Sequence, residues 1–201
     1  MIAKIAKKTA TYFARKNIFK HEDIPTYSYG FELLFSTFIN GLGLLIISIL
    51  MNIVLGAALF VLAFIPIRLA AGGYHAKHHW SCCLAINITF LSFALLLRYM
   101  SDSLLLPYIF FAIIVSSVII WRFSPVEAVN KPASEAKRKR LRERSILIAS
   151  INMIVALICY LIPALPIICA AHYLSGALAA SLSMVAAVIT IKYGSTDSSS
   201  S

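Results

Sequence analysis

A histidine, a thiol pair and an arginine share one short connection between hydrophobic segments. It reads Arg68-Leu-Ala-Ala-Gly72-Gly73-Tyr74-His75-Ala-Lys77-His78-His79-Trp80-Ser81-Cys82-Cys83. A thiol beside an imidazole can cleave acyl bonds. The imidazole takes the thiol proton, the thiolate attacks a carbonyl, and the acyl group is held as a thioester until a second nucleophile removes it. His75 and Cys82 are seven residues apart, so the loop can fold back and bring ring to sulfur. Little else in the chain can do covalent chemistry.

The surroundings favour a thiolate. Ser81 is a good helix N-cap, which puts Cys82 in the first turn of the following helix, where the helix dipole stabilises an anion. Arg68, Lys77 and the histidines add positive charge. Gly72 and Gly73 let backbone approach a bound peptide, and their N–H groups can face a developing oxyanion. Other readings of the loop stand beside this one. His75, His78, His79, Cys82 and Cys83 are zinc-ligand types, but their spacing matches no closed zinc pattern; no metal and no cofactor is expected. His78, His79 and Trp80 also suit a membrane interface simply as amphipathic side chains. For His75 with Cys82, the residues alone leave the catalytic and the interfacial readings equally open.

The elements that hold this loop are helices in a membrane. Of the 201 residues 60% are hydrophobic and only 13% charged, with a mean hydropathy of +0.86. A soluble domain carries about 25% charged residues, so the composition implies an integral membrane protein. Phe31 to Ile67 is a run of 37 residues with one charge, Glu32, too long for a single crossing. It is expected to form two helices turning near Asn52 to Gly56, the second ending at Pro66. Further spans are expected over about 83–99, 104–121, 146–162 and 167–191. The fold class is therefore all-α, with six transmembrane helices. Ile2, Ile5, Thr9, Tyr12, Phe13 and Phe19 recur at mostly helical spacing among lysines, so residues 1–20 are expected to form an amphipathic helix on anionic lipid. One membrane domain covers 1–193, and the serine-rich tail 194–201 is expected to be disordered.

Six spans place both termini on one side. That side then carries every Lys and Arg except Arg98 among the 18 in the chain. By the positive-inside rule it is cytoplasmic, together with the loop 68–82 and a basic loop 122–145. The net charge of +10 thus reports topology, and no nucleic-acid partner is expected. The densest charge, Lys137-Arg138-Lys139-Arg140-Leu-Arg142-Glu-Arg144, suits an anchor on anionic lipid and also a docking surface for an acidic peptide. Two other functions fit the composition. A small transporter or channel is disfavoured by the few ionisable residues in the spans, mainly Glu32 and His172. A membrane S-acyltransferase, suggested by His78-His79-Trp80-Ser81-Cys82, would place an aspartate before its paired histidines, and none is there.

The run Arg68…Ala71-Gly72-Gly73-Tyr74-His75-Ala76…Cys82 resembles the signature of the accessory gene regulator B (AgrB) family. In that pattern an arginine precedes A-G-G-[YF]-H-A, and a cysteine follows seven positions after the histidine. Counting from His75 selects Cys82 rather than Cys83. Arg68 and Gly73 also match positions the family relies on. Ser124-Pro125-Val-Glu127-Ala-Val-Asn130-Lys131-Pro132 is similar to the family's A-P-x-[DE]-x-x-N-[KR]-P loop. The doubled cysteine departs from the pattern. The resemblance implies a cysteine endopeptidase in the cell membrane of a Gram-positive bacterium, acting in quorum sensing. It implies Cys82 as nucleophile, His75 as base and a Cys-His dyad. The implied substrate is a small propeptide with an amphipathic helix, a short core and an acidic C-terminal tail that is cut off, leaving a thiolactone or lactone. The size is compatible with a homodimer.

Overall fold

The computed structural model describes the backbone of residues 2–71, 79–126, 134–162 and 166–194, with their side chains except those of 79–83, 137, 159, 160 and 192–194. Seven α-helices follow one another there: α1 (Ile2–Arg15), α2 (Ile24–Leu50), α3 (Val54–Ala71), α4 (His79–Tyr99), α5 (Asp102–Phe123), α6 (Glu135–Leu161) and α7 (Ile167–Gly194). A single 3-10 turn, His21–Asp23, leads into α2.

Asparagines stop the first two helices in the same way. Asn17 and Asn52 have φ of 55° and 58°, the left-handed conformation that asparagine tolerates better than most residues. After α1, Ile18 N–H bonds to Phe13 O at 3.2 Å and Asn17 N–H to Ala14 O at 2.9 Å. After α2, Ile53 N–H bonds to Ser48 O at 2.8 Å and Asn52 N–H to Ile49 O at 3.1 Å. Both are Schellman closures, which satisfy carbonyls that a helix end leaves open. The turn expected near Asn52 is therefore real, and its cause is a single residue type.

Four stretches are long and apolar enough to cross a membrane among the described residues: His21–Leu50, Val54–Ala71, Asp102–Phe123 and Ile167–Ile191. Leu84–Tyr99 adds a shorter apolar helix. The chain is an all-helical membrane protein.

Several sequence boundaries need correction. Helix α3 does not end at Pro66 but continues through it to Ala71. Pro66 lacks the N–H that would bond to the carbonyl of Leu62, a local loss that a membrane helix tolerates when neighbours re-satisfy the backbone. Helix α6 begins at Glu135, so Lys137 to Arg144 form helix and not loop. Helix α7 runs to Gly194, and the serine tail after it lies outside the described residues.

Helix α1 is also oriented differently from the expectation. Its buried residues are Ile2, Ala6, Ala10 and Ala14, one every fourth position, and it packs on α2. Ile5 and Tyr12 stay exposed, while Phe13 stacks on Phe31 at 5.6 Å. Between apolar helices, small side chains let backbones approach, so the alanine stripe takes the contact and most of the larger apolar groups are left outside.

The hub is α7. Residues 169–181 are all buried, and the helix touches α3, α4, α5 and α6. Its small residues explain this. Gly176 lies so close to α3 that a Cβ there would collide with the backbone of Phe60. Two polar links fasten the hub to its neighbours. Tyr173 donates its hydroxyl to Asn152 of α6. Tyr108 of α5 lies 2.6 Å from Ser175 Oγ. Ser175 spends its one proton on Ala171 O at 2.8 Å, so Tyr108 is the donor. Tyr108→Phe therefore leaves Ser175 with its other bond intact. Its expected cost is about 0.6–1 kcal/mol, near the usual worth of an interhelical hydrogen bond in a membrane. SDS-titrated unfolding in mixed micelles checks this.

Candidate active site

The described part of the site begins at the last turn of α3. Arg68 Nη1 donates to Ser183 Oγ of α7 at 2.8 Å, and the guanidinium carbon stands 5.9 Å from the centre of the Phe64 ring. Ser183 gives its own proton to Ala180 O at 2.7 Å. It therefore meets Arg68 purely as an acceptor and fixes the fork on α7. Phe60, Phe64 and Arg68 share one face of α3 at four-residue spacing. With Ala85, Ile86 and Thr89 of α4 and Ala179 and Ser183 of α7, they line a cavity of about 60 Å³.

Helix α4 starts at His79, three residues before the start expected from Ser81 as N-cap. Ser81 thus lies inside the first turn rather than capping it. Cys82 is the fourth residue of the helix, still among the first four, whose N–H groups have no intrahelical acceptor. The register separates the two cysteines. Ala85, Ile86 and Thr89 follow Cys82 by three, four and seven residues, the spacing of one helix face. From Cys83 the same spacing reaches Ile86, Asn87 and Phe90. Asn87 is turned to Asn40 of α2, its Nδ2 donating at 3.3 Å, and Phe90 packs edge-on against Phe60. Cys82 thus shares the register of all three cavity residues of α4, and Cys83 that of one.

The second motif meets the first through the backbone. Val126 N–H donates to Ala71 O at 2.9 Å. Ala71 ends α3 immediately before Gly72, and Val126 follows the Ser124–Pro125 pair, which is joined by a cis peptide bond. The segments leading into both loops are thereby tied at one end of the bundle. The C-terminal ends of α3 and α5 meet there, Ser183 in the second half of α7 faces Arg68, and α6 follows after eleven residues. Arg138, Lys139 and Arg140 are exposed in the first turns of α6, and Lys137 is in the same stretch of helix. At the opposite end, near the start of α3, Gly56 abuts the ring of His172 on α7. Gly72, Gly73, His75 and the loop holding Asn130, Lys131 and Pro132 lie outside the described residues, as does the distance between His75 and Cys82. Sequence reasoning missed Ser183 and Thr89. Neither carries a motif, and only the convergence of α3, α4 and α7 reveals them.

The comparison with known proteins decides the family. The pattern that defines accessory gene regulator B matches residues 6–194. The chain belongs to the AgrB family. A protein named "Putative AgrB-like protein 2" from Clostridium perfringens (strain 13 / Type A) is 27% identical over 161 residues, covering 77% of this chain and 75% of that one. A "Putative AgrB-like protein" from Clostridium perfringens (strain SM101 / Type A) is 26% identical over 164 residues, covering 79% and 77%. No solved structure matches. The match runs through every helix described above except the first residues of α1, so the resemblance first seen in two short loops extends to the whole bundle.

Proposed function

We propose that this AgrB-family chain is a membrane cysteine endopeptidase that processes a small propeptide for quorum sensing. The observation that carries the reading is the register of Cys82. It shares a helix face with the three α4 residues of a cavity that also holds Arg68. Membership of the AgrB family supports the reading, because the resemblance to that family implies peptide processing.

In this reading His75 takes the proton of Cys82. The thiolate attacks the carbonyl that ends the signal core, the C–N bond breaks, and His75 protonates the departing amine of the C-terminal tail. The core stays on Cys82 as a thioester. A cysteine or serine within the core then attacks the same carbonyl, giving a thiolactone or lactone and returning Cys82. Gly72 and Gly73 supply N–H groups to the oxyanion. Six helices span the membrane, both termini and the site are cytoplasmic, and α1 lies at the interface on anionic lipid. The bond between Val126 and Ala71 supports the layout, because it brings the C-terminal ends of α3 and α5 to one side, as an alternating six-span chain requires. Holding enzyme and peptide in one plane raises their effective concentration. Trapping the intermediate tests the mechanism: mass spectrometry of protein quenched in acid should find the core peptide esterified to Cys82, and an adduct on any other residue would overturn it.

The basic start of α6 holds the acidic tail. Cations in the first turns of a helix oppose its dipole, so Arg138, Lys139 and Arg140 gain from an anionic partner. Replacing all three by glutamine should raise KM about tenfold at low ionic strength and leave kcat within about twofold. The difference should shrink as salt screens the exposed charges. A salt-independent loss of kcat would refute docking at α6.

A further inference from the structure

At the end of the bundle away from Arg68, Arg98 stands in the last turn of α4 beside the α2–α3 turn, its Nη1 donating to Met51 O at 3.5 Å. From that turn an apolar groove of about 530 Å³ runs between α2 and α3. We propose that the two together bind one membrane phospholipid, its phosphate on Arg98 and its tails in the groove. The site shares no residue with the peptidase reading and stands or falls apart from it.

The walls set the chemistry of the tails. Gly41, Leu44 and Ser48 of α2 line the groove with Ala57, Ala58 and Val61 of α3. Ser48 gives its proton to Leu45 O at 2.8 Å, so it offers a ligand no donor. A Cβ added at Gly41 would meet nothing within 4 Å, so this side of α2 is open. Two helices joined by a tight turn and facing each other with small residues would be expected to close together. These two leave a gap instead, and inside a bilayer an apolar gap suits hydrocarbon rather than water.

Size and depth set the kind of molecule. About 10–15 Å³ of such space holds one water-sized group, so the groove takes on the order of 40 of them. That is comparable to the carbons in the two tails of one phospholipid. From Val54 to Pro66 the groove follows twelve residues of α3, about 18 Å at 1.5 Å per residue. Half of a hydrocarbon core about 30 Å thick is about 15 Å, so the groove has the depth of one leaflet. A spanning helix from a second copy would have to fill both leaflets.

The headgroup end carries the matching charge. The connections there, 51–53, 100–101 and 162–166, hold no lysine or arginine, which leaves Arg98 as the one such residue at this end among those described. It is exposed, and Met51 O, at the limit of a hydrogen bond, takes one of its five N–H donors. The rest of the planar fork fits a phosphate in two-point fashion. Tyr99 beside it is 81% exposed, as suits an amphipathic ring at headgroup level. In the layout proposed above, this is the outer leaflet.

Photolabelling tests the site. Full-length protein in dodecyl maltoside, a detergent without phosphate, receives phosphatidylglycerol with a diazirine midway along one tail, and peptide mass spectrometry locates the label. Most of it should fall on residues 41–48 and 54–66, saturate, and be displaced by unlabelled phosphatidylglycerol. Arg98→Gln should raise the half-saturating concentration about fivefold, and Arg98→Lys should recover most of the loss. Diacylglycerol with the same tails, which lacks the phosphate, should label about fivefold less. Ala58 is exposed, so Ala58→Phe puts its ring into open groove and should abolish label there, with background label elsewhere unchanged as a check on folding. Label spread evenly over the exposed helix faces overturns the proposal, as does groove label indifferent to Arg98→Gln and to loss of the phosphate. Native mass spectrometry should find one lipid per chain; a dimer that excludes the lipid would give the groove to a second copy and end the proposal. Cys82→Ala should label like the parent chain, so failure of the peptidase and failure of this site are read separately.

Discussion

Cys82→Ala should abolish release of a propeptide tail in proteoliposomes, lowering the rate on the order of 10⁴-fold or more, as loss of a covalent nucleophile does in other peptidases. Cys83→Ala should stay within about threefold of the parent chain. Two adjacent thiols have nearly the same local chemistry, so composition cannot rank them. Helix geometry can. A step of one residue turns the position by 100° around α4, from the register of Ala85, Ile86 and Thr89 toward that of Asn87 and Phe90. The first of these faces borders Arg68 and Ser183; the second is occupied by Asn40 of α2 and Phe60. His75→Ala should cost about 10²–10⁴-fold, the range for a positioned general base. Mass-spectrometric measurement of the freed tail reads all three variants, and undiminished release by Cys82→Ala would remove the sulfur from the mechanism altogether.

What the sequence discloses and what it hides follow from the physics of a bilayer. Membrane insertion was legible because only long apolar stretches satisfy a hydrocarbon core. The α2–α3 turn was legible because Asn52 takes a backbone conformation that few other residues accept. The family was legible because the spacing of Arg68, His75 and Cys82 is distinctive. Helix contacts were not. In a soluble bundle the apolar face of a helix marks the core, but lipid tails are as apolar as leucine and erase that contrast. The aromatic and aliphatic set of α1 therefore suggested one face, while Ala6, Ala10 and Ala14 make the contact with α2. The span over α7 read as one of six equivalent helices, although Ser175, Gly176, Ala177, Ala179, Ala180 and Ser181 make it the centre of the bundle. Ser183 is separated from Arg68 by 115 residues, and no local pattern joins them.

The hub and the Arg68–Ser183 pair are mechanically one piece. Phe60, Phe64 and Arg68 lie four residues apart along α3, and Gly176 and Ser183 lie seven apart along α7. These spacings hold each set on a single face. Where α3 and α7 touch at Phe60 and Gly176, the helices are too close to admit a Cβ. Two turns further on, the same pair of faces closes on the Arg68–Ser183 bond and the cavity beside it. The packing thus fixes the distance across which the arginine is held.

Gly176→Ala should test that connection with the largest effect on stability. The added methyl would fall on the Phe60 backbone, with the carbonyl carbon only 2.9 Å away, so α3 and α7 must separate. Overpacking of this kind costs about 1–3 kcal/mol, and contact with rigid backbone puts the expected loss toward the upper limit. Gly30→Ala is the control: nothing lies within 4 Å of the new Cβ, and it sits inside α2. There the change removes a flexible residue from a helix and should stabilise by about 0.5–1 kcal/mol. The two substitutions are identical in chemistry and should differ in sign when unfolding is followed in mixed micelles. Gly176→Ala should also depress peptide cleavage in the surviving folded fraction, because spreading the helices pulls Ser183 from Arg68; Gly30→Ala should leave cleavage unchanged. Equal responses of the two variants would mean that α3 and α7 do not meet at Phe60, and the hub would have to be sought elsewhere.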